Sequence, residues 1–204
     1  MRSTTKTTRS EKVVFIGAAS SGKTSIGTRF THDRFGSHSE ATIGASFITK
    51  VINIDGVDIK LDIWDTGGSE KYRSLAPMYF RDARAAVIVF DVTSTQSFQE
   101  ADEWIRIFRE RGASNALIFG AANKSDLVAQ RQVSSEDVKD FMFSHQLNYI
   151  GETSALTGDG IKELFKELGK QLLALPSNIV AEDIQIADLG TSDVKPHRGG
   201  VCEC

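Results

Sequence analysis

Cysteine is almost missing from this chain. Cys202 and Cys204 are its only two, both at the extreme end. No disulfide framework can hold a core, so a reducing compartment is the expected setting. No apolar run approaches the roughly 18 residues of a membrane-spanning helix. A net charge of −3 supplies no basic field for nucleic acid. Positions 1–10 hold no acid, and no large apolar residue follows Met1. An amphipathic targeting presequence is therefore not expected, and residues 1–11 read as a flexible arm. Arg2 stands where N-myristoylation needs glycine. What is present is ordinary for a globular chain: 204 residues, 40% hydrophobic and 25% charged. That is enough for one domain with a proper core.

The apolar run Val13-Val14-Phe15-Ile16 leads into Gly17-Ala18-Ala19-Ser20-Ser21-Gly22-Lys23-Thr24. A strand, then G-x-x-x-x-G-K-[ST], then a helix is the context in which this spacing binds phosphate. The glycines let the backbone curl so that successive N–H groups face phosphate oxygens, and the helix adds its positive end. Ala19, Ser20, Ser21, Gly22, Lys23, Thr24 and Ser25 are the candidate phosphate contacts. Lys23 can bridge β- and γ-phosphates, and the Thr24 hydroxyl can ligate Mg²⁺.

Strand-like runs at 13–17, 47–54, 57–65, 86–91, 116–120 and 148–150 alternate with helical patterns at 23–30, 98–111, 135–145 and 161–175. Asp55-Gly56 is a hairpin signal between the second and third runs. The pattern predicts a doubly wound α/β domain over 12–175, its sheet mostly parallel and six-stranded with one antiparallel edge strand. Ile161, Leu164, Phe165, Leu168 and Leu172 share one face of the last helix, and Pro176 stops it. Residues 176–204 lose periodicity and read as a flexible tail.

Asn123-Lys124-Ser125-Asp126 follows the fifth run, at a strand's carboxyl end where doubly wound sheets bind ligands. A carboxylate accepts two hydrogen bonds as a fork. Guanine presents N1–H and N2–H₂ as that donor pair and adenine does not, so Asp126 can distinguish guanine from adenine; a solvated turn is the bland reading of the motif alone. Asn123 would tie this loop to the phosphate loop, and the Lys124 stem can lie flat on the base. Thr153-Ser154-Ala155 follows the last strand, where a backbone N–H can meet guanine O6.

With these motifs in place the chain resembles the Rabs among the Ras-superfamily small GTPases. The segments Ile43-Gly44-Ala45-Ser46-Phe47, Ile63-Trp64-Asp65-Thr66-Gly67-Gly68, Tyr72-Arg73-Ser74-Leu75-Ala76-Pro77-Met78-Tyr79-Phe80-Arg81 and Val89-Phe90-Asp91-Val92-Thr93 carry the resemblance. Thr42 to Phe47 and Ser74 to Arg81 are most similar to the early-endosomal branch. The resemblance implies a GTP/GDP switch on vesicular membranes that hydrolyses GTP with Mg²⁺. It implies that Thr42 joins Thr24 on the metal and meets the γ-phosphate through its N–H. Asp65 would hold a metal-bound water, Gly68 would sense the γ-phosphate, and Phe35 would lie against the base edge. Phe47, Trp64 and Tyr79 resemble the aromatic triad shown to effectors; core packing is the other reading for them. Other implied partners are an exchange factor, a GTPase-activating protein, a dissociation inhibitor and a prenylation escort, around a monomer with a cytosolic pool.

The departures matter as much. Ser69 stands where the family has the glutamine that orients attacking water. Its side chain is two bonds shorter, which predicts hydrolysis below the order of 10⁻⁴ per second of Ras-like enzymes. Lys23, Thr42, Gly68 and Ser69 are the candidate catalytic set, with no general base among them. The competing reading is a GTP-bound recruitment module with negligible turnover of its own. Leu156 replaces a lysine and still covers the base. Asp82 replaces a glycine, and aspartate tolerates φ > 0 better than most residues. The end Cys202-Glu203-Cys204 resembles the doubly prenylated terminus of Rabs; a redox-sensitive pair is an alternative, and as a metal pair it has no further ligands. A phosphotransferase of the P-loop kinase type is the third reading, and Asn123 to Asp126 speaks against it.

Overall fold

The structure is a computed structural model that describes residues 8–36, 41–69 and 75–176. The expected lipidation residues Cys202 and Cys204, and residues 70–74 of the second-switch region, lie outside the described residues. The chain runs β1 (Arg9–Ile16), α1 (Lys23–His32), β2 (Ala45–Ile54), β3 (Val57–Thr66), α2 (Ala76–Phe80), β4 (Ala85–Asp91), α3 (Thr95–Arg111), β5 (Leu117–Asn123), a single 3₁₀ turn (Val128–Gln130), α4 (Ser135–Ser144), β6 (Tyr149–Thr153) and α5 (Ile161–Ala174). The strands order as β2-β3-β1-β4-β5-β6. Among the described residues only β2 and β3 pair antiparallel, as the edge hairpin predicted. Its turn residues Asp55 and Gly56 both have positive φ, 49° and 87°.

The central strands are apolar on both faces because helices cover both. In β1, Val13 and Phe15 enter one core while Val14 and Ile16 enter the other. In β4, Val87 and Val89 alternate with Ile88 and Phe90 in the same way. The first core takes Ile26 and Phe30 from α1 and Phe165, Leu168 and Leu172 from α5. The second takes Trp104 and Phe108 from α3 and Phe141 from α4. Each such side chain contributes about 1.5–3 kcal/mol when fully buried. After β1 the chain moves to β2 and β3 on one side, and after β3 it crosses to β4 on the other. The crevice at this reversal, beside the carboxyl end of β1, is where such sheets hold ligands.

Boundaries differ from the sequence pattern where side chains act over long distances. Residues 9–11, expected within a flexible arm over 1–11, instead belong to β1, which starts at Arg9 and pairs there with Ile59. Arg9 donates to the carbonyls of Leu172 and Leu175 at 2.7 and 2.8 Å, satisfying the open end of α5. Glu11 is buried and bonded to Arg84 and Arg9. Helix α3 starts earlier than position 98 because the Ser94 hydroxyl accepts from the Ser97 amide. Strand β5 starts at Leu117 and runs past 120 to Asn123, so the base motif opens on the strand itself. The short α2 gave no periodic signal. Asp82 has φ of 60°, the conformation the sequence left open for it.

Candidate functional site

The phosphate loop is shaped by close approaches. A Cβ on Gly17 would lie 2.0 Å from the Val89 carbonyl oxygen, and one on Gly22 would lie 2.2 Å from Asn123 Nδ2. Both glycines have positive φ, 144° and 96°. Gly22 also caps α1 without any side chain on the helix end, so those amides remain available to an anion. Lys23 is 5% exposed and donates to the carbonyls of Gly17 at 2.8 Å and Ala18 at 2.7 Å. Burial pushes its ammonium down to about 8, against the opposing pull of Asp65. An incoming polyphosphate would favour the charged form that burial disfavours.

Below Lys23, three oxygens converge. The Thr24 hydroxyl donates to Asp65 Oδ2 at 2.6 Å and lies 3.0 Å from the Thr42 hydroxyl. Asp65 Oδ1 is buried and makes no hydrogen bond among the described residues. Burial raises the Asp65 carboxyl, although Thr24 and Lys23 oppose the shift. Two hydroxyls and a carboxylate with an open lone pair are hard oxygen donors, suited to Mg²⁺. Ser46, directly opposite Asp65 in the β2–β3 register, donates to it at 3.4 Å.

The base side is built from three loops. Asn123 Nδ2 donates to the Ser21 carbonyl at 2.9 Å, and its Oδ1 accepts from Thr153 Oγ1 and the Ala155 amide, each at 3.3 Å. It therefore ties the phosphate loop to both base loops. Asp126 Oδ1 accepts from Ser154 Oγ at 2.5 Å. Arg29 of α1 donates to the carbonyls of Ala155 and Leu156 at 2.9 and 2.6 Å. No motif marked Arg29; a basic residue in a helix's last turn has no local signature for so distant a partner.

A cleft of 620 Å³ collects these groups. Ala19, Ser20, Gly22, Lys23, Thr24, Ser25, Phe35, Thr42, Gly68, Ser69, Asn123, Lys124, Asp126, Ala155 and Leu156 line it, joined by Gly36, Ala41, Thr66 and Leu127. Ser21, Ser154 and Asp65 stand behind the lining: Ser21 is enclosed, and the others reach it through Asp126 and Thr24. A larger hollow of 980 Å³ lies between α1, β2 and the start of α5. It touches no phosphate-loop or base-motif residue, and its basic residues alternate with Asp33, Asp159 and Glu163. The smaller cleft is the one lined by the phosphate-loop and base-motif residues.

Comparison with known proteins agrees with this geometry. The sequence model of the Ras family matches residues 12–174. Ras-related protein RABF2b of Arabidopsis thaliana is 42% identical over 161 residues, 79% of this chain and 80% of that protein. Ras-related protein Rab-5A of Dictyostelium discoideum is 39% identical over 81% of this chain and 82% of its own length. Ras-related protein Rab5A of Oryza sativa subsp. japonica is 39% identical, with 81% of each chain covered. The chain belongs to the Ras family, in its Rab branch.

In this Rab the aromatic residues Phe47, Trp64 and Tyr79 form a chain, with ring centroids 5.5 Å and 5.8 Å apart. Phe47 is 56% exposed. Trp64 and Tyr79 are half-buried, and Trp64 also packs against the second core. Core packing accounts for part of Trp64, while Phe47 lies mostly outside the cores. No helix among the described residues is long and apolar enough to cross a membrane.

Proposed function

We propose that this Rab is a guanine-nucleotide switch of endosomal membrane traffic. The single observation that carries the guanine reading is the Asn123–Asp126–Ser154 arrangement, joined directly to the phosphate loop through Ser21. Relatives named Rab5 and RABF support the endosomal part. Magnesium, when bound at Thr24, Thr42 and the Asp65 side, would neutralise phosphate charge. Lys23 and the loop amides stabilise charge on the transferred group. In hydrolysis a water oxygen bonds to the γ-phosphorus while the bond to the β–γ bridging oxygen breaks, leaving GDP and phosphate. Thr42 and Gly68 both line the cleft and are the candidate sensors of that phosphate. Its loss would release both loops. Phe47, Trp64 and Tyr79 would then change their presentation to effectors. Cys202 and Cys204, prenylated, would anchor the chain on the cytosolic face of endosomes, with a dissociation inhibitor, an escort protein, an exchange factor and a GTPase-activating protein completing the cycle.

Ser69 favours a second form of this reading, a GTP-bound recruitment module with negligible turnover of its own. Single-turnover hydrolysis of preloaded GTP, beside Ser69→Gln, tests both. A clearly faster Ser69→Gln supports control by partners acting in trans. Equal, ordinary rates remove the slow form. No retention of GTP over ATP removes the switch itself.

A further inference from the structure

We propose that Asp91 is a positioning residue for nucleotide binding, which holds the Lys124 side chain in place along the cleft. The inference rests on the guanine-nucleotide reading above. Asp91 is the last residue of β4 and lies opposite Asn123 in the β4–β5 register. Its Oδ2 meets the Lys124 ammonium at 2.6 Å. Its Oδ1 accepts from the Thr93 amide at 2.8 Å and the Thr93 hydroxyl at 2.7 Å. Its own amide donates to the Ser97 hydroxyl at 3.0 Å. Asp91 is 8% exposed, so the carboxylate cannot turn away from Lys124 without giving up Thr93.

Lys124 is held at both ends. Its backbone adopts φ of 65°, which L-residues rarely take. The neighbouring Ser125 amide donates to the Thr153 carbonyl, and the Leu127 amide returns to the Lys124 carbonyl. The stem lines the cleft beside Asp126, yet the ammonium is drawn to β4 rather than to solvent. A free lysine samples many rotamers, and fixing its stem on binding would weaken affinity. Asp91 fixes it beforehand. The charge-assisted bond needs no contact between Asp91 and the ligand. Loss of this bond should therefore speed release of the nucleotide and leave the association rate and the guanine preference, which belong to Asp126, unchanged.

The test is release of fluorescently labelled GDP from the full-length protein with Mg²⁺, chased by unlabelled GDP. Asp91→Asn is expected to raise the release rate about tenfold with little change in association. Lys124→Met should do the same, and the double variant should be no faster than Lys124→Met alone. Asp91→Glu should recover part of the retention, and Thr93→Ala should change release by less than about twofold. Release from Asp91→Asn within about twofold of the parent, or effects of the two substitutions that multiply, would overturn the proposal. Lys124→Met alone decides the matter if Asp91→Asn does not fold: an unchanged release rate overturns the proposal. Failure of the parent protein to retain labelled GDP overturns the guanine-nucleotide reading and this inference together.

Discussion

Asn123→Ala tests whether one buried amide holds the site together. The side chain makes a 2.9 Å bond to the Ser21 carbonyl and two 3.3 Å bonds, from Thr153 Oγ1 and the Ala155 amide. The short bond is worth about 1 kcal/mol net and the longer two about 0.5 each. Truncation also leaves the Ser21 carbonyl and the Ala155 amide without this partner in a buried place, and stranded groups cost more than the bonds themselves. The expected loss is about 2–4 kcal/mol. For a domain of this size that lowers the melting temperature of the GDP–Mg²⁺ complex by about 5–15 °C. Because the strap joins the phosphate loop to both base loops, GDP release should rise by at least about tenfold. Thr153→Val is the internal control. It removes only one 3.3 Å bond and should cost about 0.5 kcal/mol. A melting shift below about 2 °C for Asn123→Ala, with release unchanged, would refute the argument. Equal effects of the two variants would place the energy in Thr153 instead.

A Cβ on Gly68 would lie 2.5 Å from both the Ala18 carbonyl and Lys23 Nζ; Gly68→Ala should reduce single-turnover GTP hydrolysis by at least about tenfold. GDP affinity should stay within about threefold, and an equal loss in both would show that the clash disorders the whole cleft. Glu11 and Arg84 form an ion pair with side chains 4% and 8% exposed, so Glu11→Ala should cost about 3–5 kcal/mol in urea unfolding; a cost near that of a surface residue would return 9–11 to the flexible arm. The Arg131 hydrogen bond, and then Ser135, hold the Glu152 carboxyl below its ordinary 4.5 against the opposing effect of burial. A depressed carboxylate stabilises the fold above its unfolded pKa and loses that contribution as pH falls through the folded one. Stability of the parent over Glu152→Gln should therefore be full near neutrality and shrink below pH 4.5, and a gap independent of pH would rule out the charge as its source.

The sequence alone determined the pieces whose physics is local. G-x-x-x-x-G-K-T after an apolar strand could do little but curl around an anion, and Asp55-Gly56 between alternating runs had to turn. Asn123, Lys124 and Asp126 were legible as a candidate guanine reader because their spacing is itself the chemistry. The alternating strand–helix pattern carried the fold class for the same reason, since periods of 2 and 3.6 sort residues onto faces. Everything that depends on two distant segments meeting was decided by tertiary structure. Arg9 looked like arm because its partners are the carbonyls at the end of α5. Arg29 gave no signal because its partners, the carbonyls of Ala155 and Leu156, lie far away along the chain. Ser46 faces Asp65 only through the β2–β3 register, and Asp91 reaches Lys124 only because β4 lies beside β5. Local sequence fixes which backbone shapes and which ligand chemistry are available. Only packing of the sheet sets which side chains come within hydrogen-bond distance and are shielded enough from water for those bonds to matter.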